Sequence, residues 1–429
     1  MGILRAFFGL LFIVGVAWIF SKNRKSINWK LVVGGLLLQI TFGFLITQVD
    51  VVSAGFGFIS KFFVKVIDFT NAGTKFLFDG LLTTDEFGFI FALKVLPTII
   101  FFSTLSTGLY YLGILQKIVY AFAWVMSKTM RLSGAESLSA AGNIFLGQTE
   151  APLLVRPFIP DMTKSEIMCL MTGGMATIAG GVLAGYVAFL GGNDPAEQAK
   201  YATFLLGASV MNAPAAIVMS KILIPELHYE RLDHNLKISK EKTGVNLIDA
   251  LARGASDGLK LALNVGAMLL AFIAVIAAIN FVLKDVIGDL TGLNEVIAQS
   301  TNGTFDGFSM QYILGNVFRV FAFMMGVDWS EALQVGSLLG QKTVINEFVA
   351  YLDLTSMKTA GVLNDKSLII ATFSLCGFSN FSSIAIQIGG IGGMAPNRQG
   401  DISKMGMRAL LGASLATMLT GTLAGVLLG

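Results

Sequence analysis

The sequence predicts an all-α integral membrane protein: eight transmembrane helices, two opposed re-entrant hairpins and interfacial helices, built as an inverted repeat. Three observations lead there. Of 429 residues, 54% are hydrophobic and only 13% are charged, giving a mean hydropathy of +0.73, too few charges for a water-soluble surface of this size. Apolar stretches of about 20 residues, the length that crosses a hydrocarbon core, recur along the whole chain. Short motifs also recur at a separation of 193 to 205 residues.

Taken in order, the crossings are expected at 3–20, 31–49, 87–112, 166–190, 201–223, 259–283, 367–388 and 409–428. The first lacks a basic leader and an A-x-A site before Ser21, so it reads as a membrane helix and not a cleaved signal. The stretch 51–82 carries Lys61, Lys65, Asp68, Lys75 and Asp79 among phenylalanines, the pattern of a helix lying in the interface. Stretches 118–130 and 312–325 are similar and too short to span. Two further segments, 140–158 and 335–354, hold Glu150 and Glu347 inside apolar sequence.

Loop charges orient these segments, because Lys and Arg collect on the cytoplasmic side of short loops. With the N-terminus outside, Lys22, Arg24, Lys25, Lys30, Lys117, Lys128, Arg131, Arg156 and Lys164 all fall inside. So do the connection from Lys221 to Arg253 and the loop with Arg398, Lys404 and Arg408, which leaves the C-terminus outside. The scheme requires 140–158 to enter and leave from one face, as a re-entrant hairpin.

The repeat is legible in the letters. Leu146-Gly147-Gln148 answers Leu339-Gly340-Gln341, Gly173 answers Gly377, and Leu205-Leu206-Gly207-Ala208-Ser209 recurs as Leu410-Leu411-Gly412-Ala413-Ser414. Three crossings separate equivalent points, and an odd number inverts the second copy. The expected organisation is a scaffold at 1–86, a first repeat at 87–223, a charged connection at 224–258 and a second repeat at 259–429. Inverted repeats mark secondary transporters, whose sites form near the midplane from interrupted helices. An ionisable side chain at that depth costs several kcal/mol unless it faces a cavity, ligand or ion path. One glutamate at each opposed hairpin tip therefore points to transport. After each hairpin comes a crossing with a weak middle, 171–185 and 375–390, the second carrying Asn380 among Phe378, Phe381, Ser382 and Ser383.

Other features point elsewhere only weakly. A net charge of +3 implies no nucleic acid. Cys169 and Cys376 form neither a disulfide framework nor a metal motif. Asn212-Ala213-Pro214 is half of a water-channel motif without its second copy, and the glycines from Gly389 to Gly393 follow no strand. His228 and His234 lie in a charged loop. No nucleophile, base and orienter are arranged for catalysis, so no enzyme is expected. A channel or a membrane-embedded enzyme would need, respectively, a continuous polar stripe or a second catalytic group near a glutamate.

The second hairpin reads Gly340-Gln341-Lys342-Thr343-Val344-Ile345-Asn346-Glu347-Phe348-Val349-Ala350-Tyr351. It resembles the G-x-K-x-x-x-N-E-F-V-A-Y signature of the concentrative nucleoside transporters, and 142–157 and 376–390 are similar to that family's first hairpin tip and broken helix. The likeness covers essentially the whole chain, in the short bacterial form. It implies a homotrimer in the bacterial cytoplasmic (inner) membrane, importing nucleosides such as uridine, cytidine and adenosine by an elevator-like movement. By motif, Gln148, Thr149 and Glu150 would contact the base with Val182 lining the pocket. Glu347, Asn380 and Ser383 would hold the ribose hydroxyls, with Phe378 packed nearby. No cofactor is implied beyond Na+ as coupling ion, held by the side chains of Asn143 and Thr177 and by carbonyls of Leu146 and Ile178. Thr177 stands where a serine is expected but keeps the hydroxyl. Proton coupling through Glu150 or Glu347 is the alternative, and preference for purines or pyrimidines stays open.

Overall fold

The computed structural model describes residues 2–78, 81, 90–192, 194–238 and 244–429. These residues are helical with connecting turns, and no strand occurs among them. Residues 79, 80 and 82 of the expected interfacial stretch, Asp79 among them, residues 83–86, and residues 87–89 of the third crossing lie outside the described residues. In chain order the helices are α1 (Gly2–Ile19), α2 (Trp29–Gln48), α3 (Asp50–Phe78), α4 (Leu96–Tyr111), α5 (Ile114–Met130) and α6 (Gly134–Gly142). A 3₁₀ arm (Ala151–Asp161) follows, then α7 (Lys164–Ala176), α8 (Gly180–Gly191), α9 (Pro195–Leu223) and α10 (Leu247–Asn280). The chain ends with α11 (Leu293–Ser300), α12 (Met310–Met324), α13 (Ala332–Val344), α14 (Glu347–Thr359), α15 (Asp365–Leu375), α16 (Phe381–Met394) and α17 (Gln399–Leu427).

Among the described residues, 7 helical segments are long and apolar enough to cross a membrane, and they coincide with seven of the expected crossings. The eighth, expected over 367–388, is instead two short helices, α15 and α16. The chain breaks at 376–380, where Asn380 leaves helical geometry and its side chain accepts from Ser383 N to start α16. The crossing expected at 259–283 begins earlier, at Leu247. Asn246 caps it and Asp249 pairs with Arg253 one turn on, at 3.1 Å, so charges that read as a loop belong to a helix.

Both hairpins outrun the expected 140–158 and 335–354. The first is α6 plus the 3₁₀ arm, the second α13 plus α14. The polar residues that look like loop are helix starts: Ser133 with Glu136 and Thr163 with Glu166 each form a capping box at the entry to α6 and α7. The second arm of hairpin 1 is 3₁₀ because Pro157 and Pro160 remove amide donors that an α-helix requires.

Burial sorts the bundle into two layers. The most apolar windows of Lys164–Gly191, Pro195–Leu223 and Pro396–Leu427 are 83% buried, against 28% for Gly2–Ile19 and 17% for Leu247–Thr291. The broken pair α7–α8 and the continuous helices α9 and α17 thus form the interior, while α10 keeps Leu259, Leu263, Leu270 and Ile273 exposed along its length. Helix α10 packs along α4. Their approach depends on Gly254 and Gly258, where a Cβ would lie 2.8 Å from the Cα atoms of Thr104 and Ile100.

Candidate functional site

Two interrupted helices meet at the centre of the interior layer. Helix α7 stops at Ala176 and α8 restarts at Gly180; α15 stops at Leu375 and α16 restarts at Phe381. Phe378 N donates to Thr177 O across the two breaks at 3.3 Å, and a Cβ on Gly377 would come within 2.8 Å of Ala176 O. Glycine is therefore needed at 377 for the breaks to touch. Asn212 Nδ2 donates to Cys376 O at 2.7 Å, so a carbonyl freed by the break is satisfied from α9.

The hairpin tips are delivered to this crossing. Glu347 opens α14, behind the cap in which Asn346 Oδ1 accepts from Val349 N, and it is 2% exposed. Tyr186 Oη donates to Glu347 Oε1 at 2.8 Å and Asn380 Nδ2 donates to Glu347 Oε2 at 2.8 Å. Asn380 Oδ1 accepts from Ser383 N at 2.9 Å and from Ser382 Oγ at 2.6 Å, which turns the amide NH₂ toward the carboxylate. The carboxylate also sits at the N-terminal ends of α14 and α16, where helix dipoles favour negative charge.

Hairpin 1 joins through Gln148, whose Nε2 donates to Ser383 Oγ at 3.1 Å. One turn further along α16, Gln387 Nε2 donates to Met171 O at 3.0 Å. Gln148, Ser383, Asn380 and Glu347 thus form one polar run between the hairpins. Thr149 packs against α16, its Cγ2 3.3 Å from where a Cβ on Gly390 would stand. Val182 is buried one turn before Tyr186, and Phe378 is half-buried at the break. Glu150 lies apart from the run. It lines a cavity of about 250 Å³ with Leu146 and Gly147, faced by Ser103 and Thr107 of α4 and by Arg253 and Asp257 of α10.

Asn143, 1% exposed, ends α6 with neither amide atom partnered among the described residues. Its Nδ2 is 3.2 Å from the Cβ that Gly173 does not have. Thr177 Oγ1 donates to Gly173 O at 2.9 Å, keeping its lone pairs free. Leu146 and Ile178 lie in the non-helical tip and break beside these two residues. Oxygen atoms alone suit a hard cation, and among the described residues no group of three or more His, Cys, Asp or Glu could hold a metal.

Three family profiles cover nearly all of this arrangement: "Na+ dependent nucleoside transporter N-terminus" at residues 8–81, "Nucleoside recognition" at 92–193 and "Na+ dependent nucleoside transporter C-terminus" at 204–425. The chain belongs to the concentrative, sodium-dependent nucleoside transporter family. Its members are multi-pass membrane transporters and not enzymes. An "Uncharacterized transporter" of Haemophilus influenzae is 41% identical over 100% of this chain and 99% of its own length. The "Sodium/nucleoside cotransporter 1" of Homo sapiens is 37% identical over 98% of this chain, which spans 63% of that longer protein. Among solved structures, CNTnw in an inward-facing substrate-bound state is 39% identical, with a TM-score of 0.87, over 100% of this chain and 98% of that one.

Sequence reasoning about this transporter missed Tyr186, Gln387 and the task of Lys342. Tyr186 hides in LAGYVAFL because a tyrosine in an apolar helix resembles any interface aromatic; its position four residues after Val182 was the available signal. Gln387 is the one amide in IAIQIGG, one turn after Ser383, and its depth alone marks it. Lys342 is 2% exposed and donates to Ser374 O at 2.7 Å and Thr417 Oγ1 at 2.8 Å.

Proposed function

We propose that this transporter imports nucleosides together with sodium across the bacterial inner membrane, by an elevator-like movement of the hairpins and broken helices against a scaffold. The observation that carries the reading is the polar run from Gln148 through Ser383 and Asn380 to Glu347, which joins opposed hairpin tips in the buried interior. A nucleoside offers polar edges on a flat ring and a sugar diol. A carboxylate that accepts from hydroxyls, beside an amide that pairs both ways, can replace its water shell. Glu347, Asn380 and Ser383 take the ribose, with Phe378 against it. Gln148, Thr149 and Glu150 take the base, and Val182 closes the pocket.

Sodium binds Asn143 and Thr177 with the carbonyls of Leu146 and Ile178. The support is the Asn143 amide, buried with no partner among the described residues. Proton coupling is the second reading, and Glu150 Oε2, buried and likewise without a partner among the described residues, favours it. The working unit is a homotrimer with both termini outside, the first 86 residues belonging to the scaffold.

The test is uptake of labelled uridine, cytidine and adenosine into proteoliposomes under a sodium gradient and, separately, a proton gradient. Sodium-driven accumulation is expected. Accumulation driven only by protons would transfer the coupling to Glu150, and no nucleoside uptake under either gradient would refute the function.

A further inference from the structure

The two repeat copies press a hairpin against the carbonyl end of a broken helix, and they satisfy that end differently. Helix α7 starts from its N-cap Thr163 and α15 from its N-cap Asn364. Counted from these caps, Gly173 pairs with Ser374 and not with Gly377 as the letters suggest: each stands ten residues beyond its cap, in the last turn of its helix. The last four carbonyls of a helix have no intrahelical amide partner, and they form the negative end of the dipole. Each of these ends, buried in mid-bundle, attracts positive charge.

In the first copy the hairpin residue at this position is Asn143, against Gly173, with both amide atoms unpartnered. In the second copy it is Lys342, against Ser374. The ammonium donates to Ser374 O at 2.7 Å and to Thr417 Oγ1 of α17 at 2.8 Å, whereas the matching Gly173 O of the first copy accepts from Thr177 Oγ1. Lys342 comes from the last turn of α13, whereas Asn143 caps the end of α6. Two different turns of the hairpins therefore reach the same register on the paired helix.

We propose that the Lys342 ammonium is a tethered cation, filling in the second copy the hairpin–helix junction that the first copy leaves to an exchangeable monovalent cation. The inference rests on the sodium reading of the Asn143 junction. The moving core then carries one donor group that cannot leave and one cation that binds and leaves, so each nucleoside is accompanied by one sodium ion.

The test uses the full-length protein in proteoliposomes, with labelled sodium and labelled uridine. The wild type is expected to transport the two in equal numbers with a Hill coefficient for sodium near one; two sodium ions per uridine overturns the proposal. Lys342→Asn vacates the junction but leaves an oxygen ligand, so the Hill coefficient is expected to rise to about two, one for each open site, with more sodium needed for half-maximal uptake. Lys342→Met supplies neither charge nor ligand, so uptake is expected to vanish at every sodium concentration while the purified protein stays monodisperse. A folded Lys342→Asn with wild-type sodium dependence, or a Lys342→Met with wild-type uptake, overturns the proposal. Where Lys342→Asn does not fold, the wild-type ratio decides. Wild-type uptake indifferent to sodium sinks the sodium reading itself, and this inference with it.

Discussion

A carboxylate inside a membrane bundle persists only with its oxygens occupied, and Glu347 has one donor on each, Tyr186 and Asn380. Glu347→Gln replaces one acceptor by an NH₂ group facing those donors. Concentrative nucleoside uptake is expected to be lost while the protein purifies as a folded species; retained uptake would refute the assigned role. Tyr186→Phe removes a single hydrogen bond to a charged group, worth about 1.5–3 kcal/mol. That corresponds to a rise of about ten- to a hundredfold in the KM for uridine, and wild-type KM in this variant would show that Tyr186 only fills space. At this scale Glu347 and Asn380 were legible because polar groups at membrane depth are costly. Tyr186 was not, because its aromatic body is at home there and only its hydroxyl is at work.

At the scale of elements, close helix contact and buried charge do the holding. Gly254 and Gly258 let α10 lie on α4, and Gly258→Leu would force a side chain into the backbone of Ile100. Overpacking of this kind costs about 1–3 kcal/mol, so a lower midpoint of thermal unfolding in detergent is expected, and an unchanged midpoint would contradict the packing argument. A second fastening joins the start of hairpin 1 to the end of α9. Lys221, buried, pairs with Glu136, lies 3.9 Å from Glu226 and donates to Ser165 Oγ at 2.9 Å. Lys221→Met strands these carboxylates and should cost about 3–5 kcal/mol. Adding Glu136→Gln should recover part of the loss in the same thermal assay; full additivity of the two changes would mean that they do not interact. The hairpins themselves were legible as interrupted apolar sequence. Helix starts were harder to place, because Ser133, Thr163 and Asn246 look like loop residues and serve as caps of α6, α7 and α10.

At the scale of the whole molecule, the elevator-like cycle proposed above requires the interior layer to slide past the outer one. Gly181 of α8 faces Phe102 of α4, with an ideal Cβ at 181 only 3.3 Å from that of Phe102, close to the span of about 3.5–4.5 Å that a disulfide bridges. Replacing both by cysteine, with native Cys169 and Cys376 buried out of reach, is expected to stop uptake on oxidation and restore it on reduction. Unchanged uptake by the crosslinked protein would mean that these surfaces do not move apart. Composition, crossings, repeat and the signature around Glu347 could be read in the chain alone, because bilayer solvation acts on each segment separately and leaves its mark in every window of sequence. Which helix ends meet, that Gln148 reaches Ser383, that Tyr186 reaches Glu347 and that Lys342 reaches Ser374 and Thr417 were decided only by tertiary structure. The pairings of Gln148 and of Tyr186 join residues 235 and 161 positions apart, and a short-range pattern carries no record of which distant partner a buried polar group will find.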